Sequence, residues 1–212
     1  MTFKPNLRSE EVWNTLTHGV GAVLSAVALV LLVIYTSLNG GALEIVCASV
    51  FGCSLLLLYL TSTLYHASRN ERQKFKLQLA DHLCIYLLIA GTYTPVALLG
   101  LKGAWGWSIF GLIWGLAFLG FVFKLSRFRK FEKVSLALYA VMGWCIVIAI
   151  KPLVNTMSVE ALVYMGVGGL FYTIGIYFFA NEKLPFNHTI WHLFVLAGSA
   201  FHFFGIYWYI LP

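Results

Sequence analysis

Residues 45–68 read IVCASVFGCSLLLLYLTSTLYHAS, and this stretch decides the fold. It runs for 24 positions without an Asp, Glu, Lys or Arg, and about 20 apolar residues are enough for a helix to cross a bilayer. Membrane-spanning strands need only about 9–11 residues and alternate between apolar and polar side chains. Because this run is longer and does not alternate, it predicts a transmembrane helix.

Six more runs free of those four residue types flank it. They cover residues 12–43, 82–101, 103–123, 134–150, 161–181 and 184–212. We therefore expect an all-α polytopic membrane protein, a seven-transmembrane helix bundle that forms one domain over residues 1–212 and lies in the cell membrane. The expected spans are about 13–38, 43–66, 79–100, 104–124, 134–152, 160–180 and 187–210.

The composition excludes several other classes of protein. Charged residues make up 10% of the 212 residues, against about 25% in a soluble domain. This composition excludes an ordinary soluble enzyme, a disordered chain and a nucleic-acid-binding module. The four cysteines lie in apolar stretches without a CxxC pair, so we expect neither a disulfide framework nor a thiolate zinc site. Glu10 and Glu11 precede the first apolar run, which argues against a cleavable signal peptide.

The basic residues predict one orientation. With seven spans, twelve of the fourteen lie on the side of the N-terminus, and only Lys102 and Lys151 lie on the other. The twelve are Lys4, Arg8, Arg69, Arg72, Lys74, Lys76, Lys124, Arg127, Arg129, Lys130, Lys133 and Lys183. The positive-inside rule then places the N-terminus in the cytoplasm and the C-terminus outside. These residues fix topology, and they could also contact anionic lipid head groups.

Several spans carry polar side chains that a bilayer tolerates poorly and that mark functional sites. Span two ends with Ser62 and His66, four residues apart on one helix face, and Asp81 stands at the start of span three. Span seven begins with His188 and His192, again four apart and close enough to reach one metal ion. An HxxxH pair alone is a weak signal, since hydrogen-bonded histidines give the same spacing.

The predicted topology brings all five residues to a similar depth near the cytoplasmic face. Three histidines with an open fourth position are the ligand set of a catalytic zinc site. His66, His188 and His192 are the candidate zinc ligands. Asp81 could orient a bound water or accept its proton, and Ser62 could hydrogen-bond that water or a developing oxyanion.

The other histidines receive different interpretations. His202 lies 14 residues beyond His188, about 21 Å along the helix, too far to bind the same ion. A buried hydrogen bond to another helix is the expected role. For His18, packing or hydrogen bonding is favoured over a contact that supports the metal ligands. His82 is about 100° around the helix from Asp81, and Asp81 is preferred because an unpaired carboxylate in a span costs more.

These residues resemble the hemolysin III family, the bacterial branch of the progestin and adipoQ receptor superfamily. The resemblance covers nearly the whole chain and is carried by four groups of residues in order along it. They are Glu11-x-x-Asn14-x-x-Thr17-His18, Ser62-x-x-x-His66, Asp81 with the later Ala90-Gly91-Thr92-Tyr93-Thr94-Pro95, and His188-x-x-x-His192 with Ala197-Gly198-Ser199-Ala200-Phe201-His202-Phe203.

The resemblance implies seven helices with the N-terminus inside and a zinc ion bound by the three histidines. It also implies that Asp81 and Ser62 contact the metal-bound water, and it implies kinship with alkaline ceramidases, which hydrolyse a sphingolipid amide. Receptors of the superfamily have a sizeable soluble N-terminal region, whereas the first apolar run here begins at residue 12, so hormone binding is not expected.

Three functions are compatible with these residues. The first is an intramembrane zinc-dependent hydrolase of a lipid amide or ester, with membrane lipids as partners and no nucleic acid. The second is a sensor or regulator of membrane homeostasis in which zinc clamps spans two and seven. The third is a hemolysin-type pore former, which is less favoured because spans four and six offer almost no polar residues to line a conducting path.

Overall fold

A computed structural model describes residues 7–127, 131–181 and 183–212, with the side chains described from residue 9 onward. Lys4, Arg129 and Lys130, three of the basic residues used for the predicted orientation, lie outside this range, as does the side chain of Arg8. Within the described ranges the regular structure is entirely helical, and seven helical segments are long and apolar enough to cross a membrane. The predicted all-α, seven-helix fold is confirmed.

The helices follow one another with short connections. They are α1 (Leu7–Asn39), α2 (Ala42–Ala67), α3 (Glu71–Pro95) with a π-helical extension (Val96–Leu101), α4 (Gly103–Leu125), α5 (Glu132–Trp144), a 3₁₀ segment (Cys145–Ala149), α6 (Ile150–Thr156), α7 (Val159–Ala180) and α8 (Asn187–Tyr209). Segments α5 and α6 with the 3₁₀ turn form the fifth span, α7 the sixth and α8 the seventh.

Helix α3 begins eight residues before the predicted span 79–100. The side chain of Asn70 accepts a hydrogen bond from the backbone N–H of Gln73 and thereby caps the helix N-terminus. The first two turns are charged and polar, so apolar patterning alone places the start of the span too late. The consequence is that Lys74 is a helical residue that projects from α3 toward α1.

The third and fifth spans change helix type where they meet. Pro95 lies inside the third span, and the wider π-helical turns follow it directly. The hydroxyl of Tyr93 donates to the carbonyl of Gly143 at 2.8 Å and accepts from the backbone N–H of Ile146 at 3.0 Å. The Tyr93 hydroxyl therefore takes the place of a backbone hydrogen-bond partner where the fifth span changes from an α-helix to a 3₁₀ helix.

Glycines allow the helices of the bundle to approach closely. Helix α1 packs on α2, α2 on α3, α7 on α8, and α1 also contacts α8. A Cβ atom at Gly52 of α2 would meet Leu29 of α1, and one at Gly168 of α7 would meet the ring of His202 on α8. Small residues at such crossings are the usual means of packing helices in lipid.

The packing brings three helix ends to one side of the bundle. Glu11 near the start of α1 hydrogen-bonds His66 in the last turn of α2, and Asn14 of α1 hydrogen-bonds Thr189 in the first turn of α8. At the opposite end, the hydroxyl of Tyr35 on α1 donates to the carbonyl of Pro212. The predicted site residues therefore lie at the end where α1 and α8 begin and α2 finishes.

The orientation of the bundle in the membrane is open to a direct test. We expect alkaline phosphatase fused after Pro212 to be active in a bacterial host, because it needs the oxidising compartment outside the cytoplasm for its disulfides. Green fluorescent protein at the same position should be dark. The same reporters fused after residue 126, in the basic connection between α4 and α5, should give the opposite pattern. A fluorescent C-terminal fusion would contradict the predicted orientation.

Candidate metal centre

Three histidines from two helices converge at this end of the bundle. One nitrogen each of His66, His188 and His192 lies within 4.8 Å of the others. The ring centroid of His66 is 5.0 Å from the centroid of His188 and 5.0 Å from that of His192, and the last two are 4.6 Å apart. His188 and His192 share a face of α8 because they are four residues apart. The three imidazoles could hold a metal ion.

The ring of His66 is oriented by Glu11. Its Nδ1 is 2.7 Å from the Oε2 of Glu11, and the other carboxylate oxygen accepts a hydrogen bond from the Nζ of Lys74 at 2.8 Å. Because a carboxylate can only accept, Nδ1 carries the proton. The Nε2 of His66 is buried and has no hydrogen-bond partner among the described residues. A histidine that binds a metal through Nε2 shows this arrangement.

The ring of His192 is oriented by Thr17 in the same manner. Its Nδ1 lies 3.2 Å from the Oγ1 of Thr17. That hydroxyl already donates to the carbonyl of Trp13 at 2.8 Å, so it acts as the acceptor and the imidazole as the donor. Nε2 is then the free ligand atom. In both His66 and His192, a side chain of α1 holds Nδ1, and Nε2 is the nitrogen that could bind a metal.

Helix α1 supplies more of the surrounding layer. The Oδ1 of Asn14 accepts a hydrogen bond from Thr189 at 2.6 Å, which holds the first turn of α8 against α1. The ring of His18 stacks on His192 at 3.4 Å and meets Tyr59 edge-on. The expected packing role of His18 agrees with these contacts, although neither of its nitrogens has a hydrogen-bond partner among the described residues.

The contacts of Glu11, Asn14 and Thr17 with this site are not predicted from the sequence, in which all three residues stand out only as part of the family motif and Glu11 also as evidence against a signal peptide. The available signal was their spacing of three, which puts polar side chains along one face of an otherwise apolar helix. That face is the one that meets the histidines.

Asp81 and Ser62 lie beside the histidine group. Both side chains are buried, and Ser62 lies next to the carboxyl group of Asp81 without a hydrogen bond of good geometry. Both line a cavity together with His188 and His192. Within the described ranges, no carboxylate or thiol joins the three nitrogens as a fourth close group. The described residues would therefore give a metal three protein ligands.

His82 and His202 take part in other contacts. The Nδ1 of His82 lies 3.1 Å from the Nζ of Lys124 on α4, so this imidazole accepts a hydrogen bond there. The Nε2 of His202 is 3.1 Å from the carbonyl of Met165 on α7. The expected hydrogen bond of His202 to another helix is confirmed.

The cavity that begins at this site is long and mostly apolar. Its volume is about 420 Å³. It extends past Ile85 and Ile89 of α3, and it reaches His202 as well as His188 on α8. The last two positions are separated by about 21 Å of helix axis. A cavity of this shape suits a hydrocarbon chain better than a compact polar ligand.

Comparisons with known proteins identify the family of this chain. A family model described as haemolysin-III related matches residues 7–203. The chain belongs to the hemolysin III family. It is a multi-pass integral membrane protein. It is 46% identical over 212 residues to the protein named Hemolysin-3 of Bacillus cereus, which covers all of this chain and 97% of that one.

Other members of the hemolysin III family and its wider superfamily are also similar. The chain is 45% identical over 200 residues to Hemolysin-3 homolog of Bacillus subtilis (strain 168), covering 94% of each chain. It is 28% identical over 207 residues to the human monocyte to macrophage differentiation factor, covering 95% of this chain and 84% of that one. No solved structure matches this chain.

Glu11 provides a test of how this hemolysin III family member builds its site. Glu11→Gln should weaken metal binding by about 10–100-fold, because an amide orients the imidazole of His66 less firmly and makes it a poorer ligand. Titration of the chelator-treated protein with a divalent metal, followed by calorimetry, measures the change. Glu10→Gln is the matched control, since the buried Oε1 of Glu10 makes no hydrogen bond among the described residues. Equal losses in both variants would contradict the role assigned to Glu11.

Proposed function

We propose that this protein is a zinc-dependent hydrolase that cleaves an amide or ester bond of a lipid within the membrane. The observation that carries the proposal is the set of three converging imidazoles, two of which line an apolar cavity together with Asp81. Imidazole nitrogens suit several transition metals. Three protein ligands with one open position are typical of catalytic zinc.

Each residue then has a chemical task. Bound zinc would supply a Lewis acid and a water that is nucleophilic at neutral pH. The carboxylate of Asp81 would accept a proton from the attacking water as the oxygen adds to the lipid carbonyl carbon. The same group would return the proton to the departing amine or alcohol when the carbon–nitrogen or carbon–oxygen bond breaks. The Ser62 hydroxyl, which makes no hydrogen bond of good geometry among the described residues, could donate to the carbonyl oxygen.

The cavity supports a lipid rather than a water-soluble substrate. Its walls are formed mainly by apolar side chains of membrane-spanning helices, so an acyl chain could enter from the bilayer without crossing water. Its charged residues, Asp81, Lys124 and Glu132, come from the helix ends on the side that holds the histidines. A carbonyl group near the head of a lipid would therefore lie beside Asp81 while the chain extends along α8.

A second function is favoured by the placement of the histidines on two helices. A metal bound by His66 of α2 and by two residues of α8 would join helices that are far apart in sequence. The protein could then act as a sensor or regulator of membrane state. A purely structural zinc site is usually closed by a fourth protein ligand, and the open position among the described residues supports the hydrolase instead.

The first test is the metal content of the detergent-purified protein. We expect about one zinc ion per chain in the wild type and nearly none in His188→Ala, because two imidazoles bind zinc far more weakly than three. Inductively coupled plasma mass spectrometry under chelator-free conditions measures the ratio. His202→Ala is the matched control, a histidine on the same helix outside the cluster, and it should keep its zinc. A metal-free wild type would remove both zinc-dependent functions.

The second test concerns Asp81. Asp81→Ala should keep its zinc but lose lipid hydrolysis by at least about 100-fold, since general acid–base groups contribute about 10²–10⁴-fold. A panel of lipid amides and esters assayed by mass spectrometry with the zinc-loaded protein gives the rate. Full activity in the variant would refute the role of Asp81. If a deletion strain has a membrane-fluidity defect and the Asp81→Ala variant corrects that defect, the result would instead favour a structural zinc site that joins the helices.

A further inference from the structure

A second group of polar residues lines the same cavity on another side of α3. Lys124, in the last turn of α4, is 3% exposed, and its Nζ lies 3.1 Å from the Nδ1 of His82. An imidazole in this contact supplies a lone pair but no negative charge. Among the described residues, no carboxylate lies within ion-pair distance of this lysine. A buried ammonium without a compensating charge is costly, and an anion in the cavity would offset that cost.

Two hydroxyl groups near Lys124 also lack partners. Ser135, in the first turn of α5, and Tyr86 of α3 are 2% and 0% exposed, and their oxygens make no hydrogen bond of good geometry. The two side chains lie next to each other. The ring of Tyr86 packs against Gly120, one turn before Lys124 on α4, where any larger residue would collide with it. The ammonium and the two hydroxyls thus belong to one group, which we call the Lys124 cluster.

The surroundings of the cluster favour an anion. Tyr139 packs on Tyr86, but its hydroxyl is already used in donating to the carbonyl of His82 at 2.9 Å. Glu132 lines the cavity but is exposed, so water screens its carboxylate. Asp81 also lines the cavity and is close enough to Tyr139 to interact with it electrostatically. These carboxylates attract the ammonium at longer range, but neither occupies the hydrogen-bonding positions of Lys124 and Ser135.

We propose that the Lys124 cluster binds the phosphate group of an anionic lipid whose hydrocarbon chain lies in the cavity. Lys124 and Ser135, the two members of the cluster that line the cavity, offer an ammonium and a hydroxyl as donors, which match phosphate oxygens. A neutral lipid would leave the ammonium uncompensated.

The position in the membrane agrees with this ligand. The end of α4 and the start of α5 lie at one end of their spans, where the head group of a lipid meets water. Lys124 and Ser135 line the cavity that also contains Asp81 and His188. One lipid could therefore contact both groups. The inference deepens the proposed function by naming phosphate-bearing lipids as the substrate class, but it concerns binding and is tested apart from hydrolysis.

The experiment compares two ether lipids that cannot be hydrolysed at an ester or amide bond. Hexadecylglycerol phosphate and hexadecylglycerol have the same chain and differ only by the phosphate. Equilibrium binding of each radiolabelled lipid to the full-length protein in neutral detergent gives a ratio of affinities. We expect the wild type to prefer the phosphate lipid by about tenfold or more, as a charge-assisted contact would give.

Substitutions assign the preference to the cluster. Lys124→Met should bring the ratio close to one while the affinity for hexadecylglycerol is unchanged, and Lys124→Arg should keep most of the preference. Lys183→Met, an exposed lysine outside the cavity, is the matched control and should retain the full ratio. If Lys124→Met also loses the neutral lipid through misfolding, Ser135→Ala replaces it and should lower the ratio about threefold.

Three results would overturn the inference. They are a wild type with equal affinity for both lipids, a Lys124→Met variant that folds and keeps the preference, and displacement of the phosphate lipid by inorganic phosphate at equal concentration, which would show a site for free phosphate. A protein that prefers the phosphate lipid but hydrolyses no lipid ester or amide would support this inference and remove the proposed function, so the two can fail separately.

Discussion

The contact between Glu11 and His66 is the interaction on which the end of the bundle depends. The carboxylate accepts from His66 of α2 with one oxygen and from Lys74 of α3 with the other, so one side chain of α1 joins three helices. Separating them would leave the carboxylate of Glu11 and the ammonium of Lys74 without these partners. The same hydrogen bond leaves the Nε2 of His66 without a partner. The same hydrogen bond therefore holds the helices together and orients the imidazole of His66.

Helix α3 divides the polar end of the cavity into two chemically different halves. Asp81 faces Ser62 and lines the cavity with the histidines of α8, whereas the next residue, His82, faces Lys124 of α4. A turn of about 100° per residue produces this division from two neighbours in sequence. One half can hold a metal and a proton acceptor, and the other offers donors for an anion. An apolar cavity that serves both can position a single amphipathic ligand.

The fold could be predicted from the sequence almost completely, and the site in part. Charge-free runs longer than 16 residues have few alternatives in lipid, so seven helices follow from residues such as 45–68. The grouping of His66, His188 and His192 follows from the topology and from helical spacing. The roles of Thr17 and Lys124 do not, because which face of α1 or α4 turns inward is decided by packing against neighbours. The sequence shows Lys124 only as one of the basic residues that predict the orientation, and the structure places it buried in the last turn of α4.

The two zinc-dependent functions share one physical origin. His66 ends α2 and the other two histidines begin α8, so a metal bound at the site would hold these helix ends at a fixed separation. The cavity opens beside that junction and is lined by α3, α5, α7 and α8. Any change in bilayer that shifts α8 against α2 would alter both the metal geometry and the position of Asp81 relative to a bound chain. A hydrolase built this way would respond to the state of its membrane without a separate sensing domain, because the ligand geometry itself depends on helix packing.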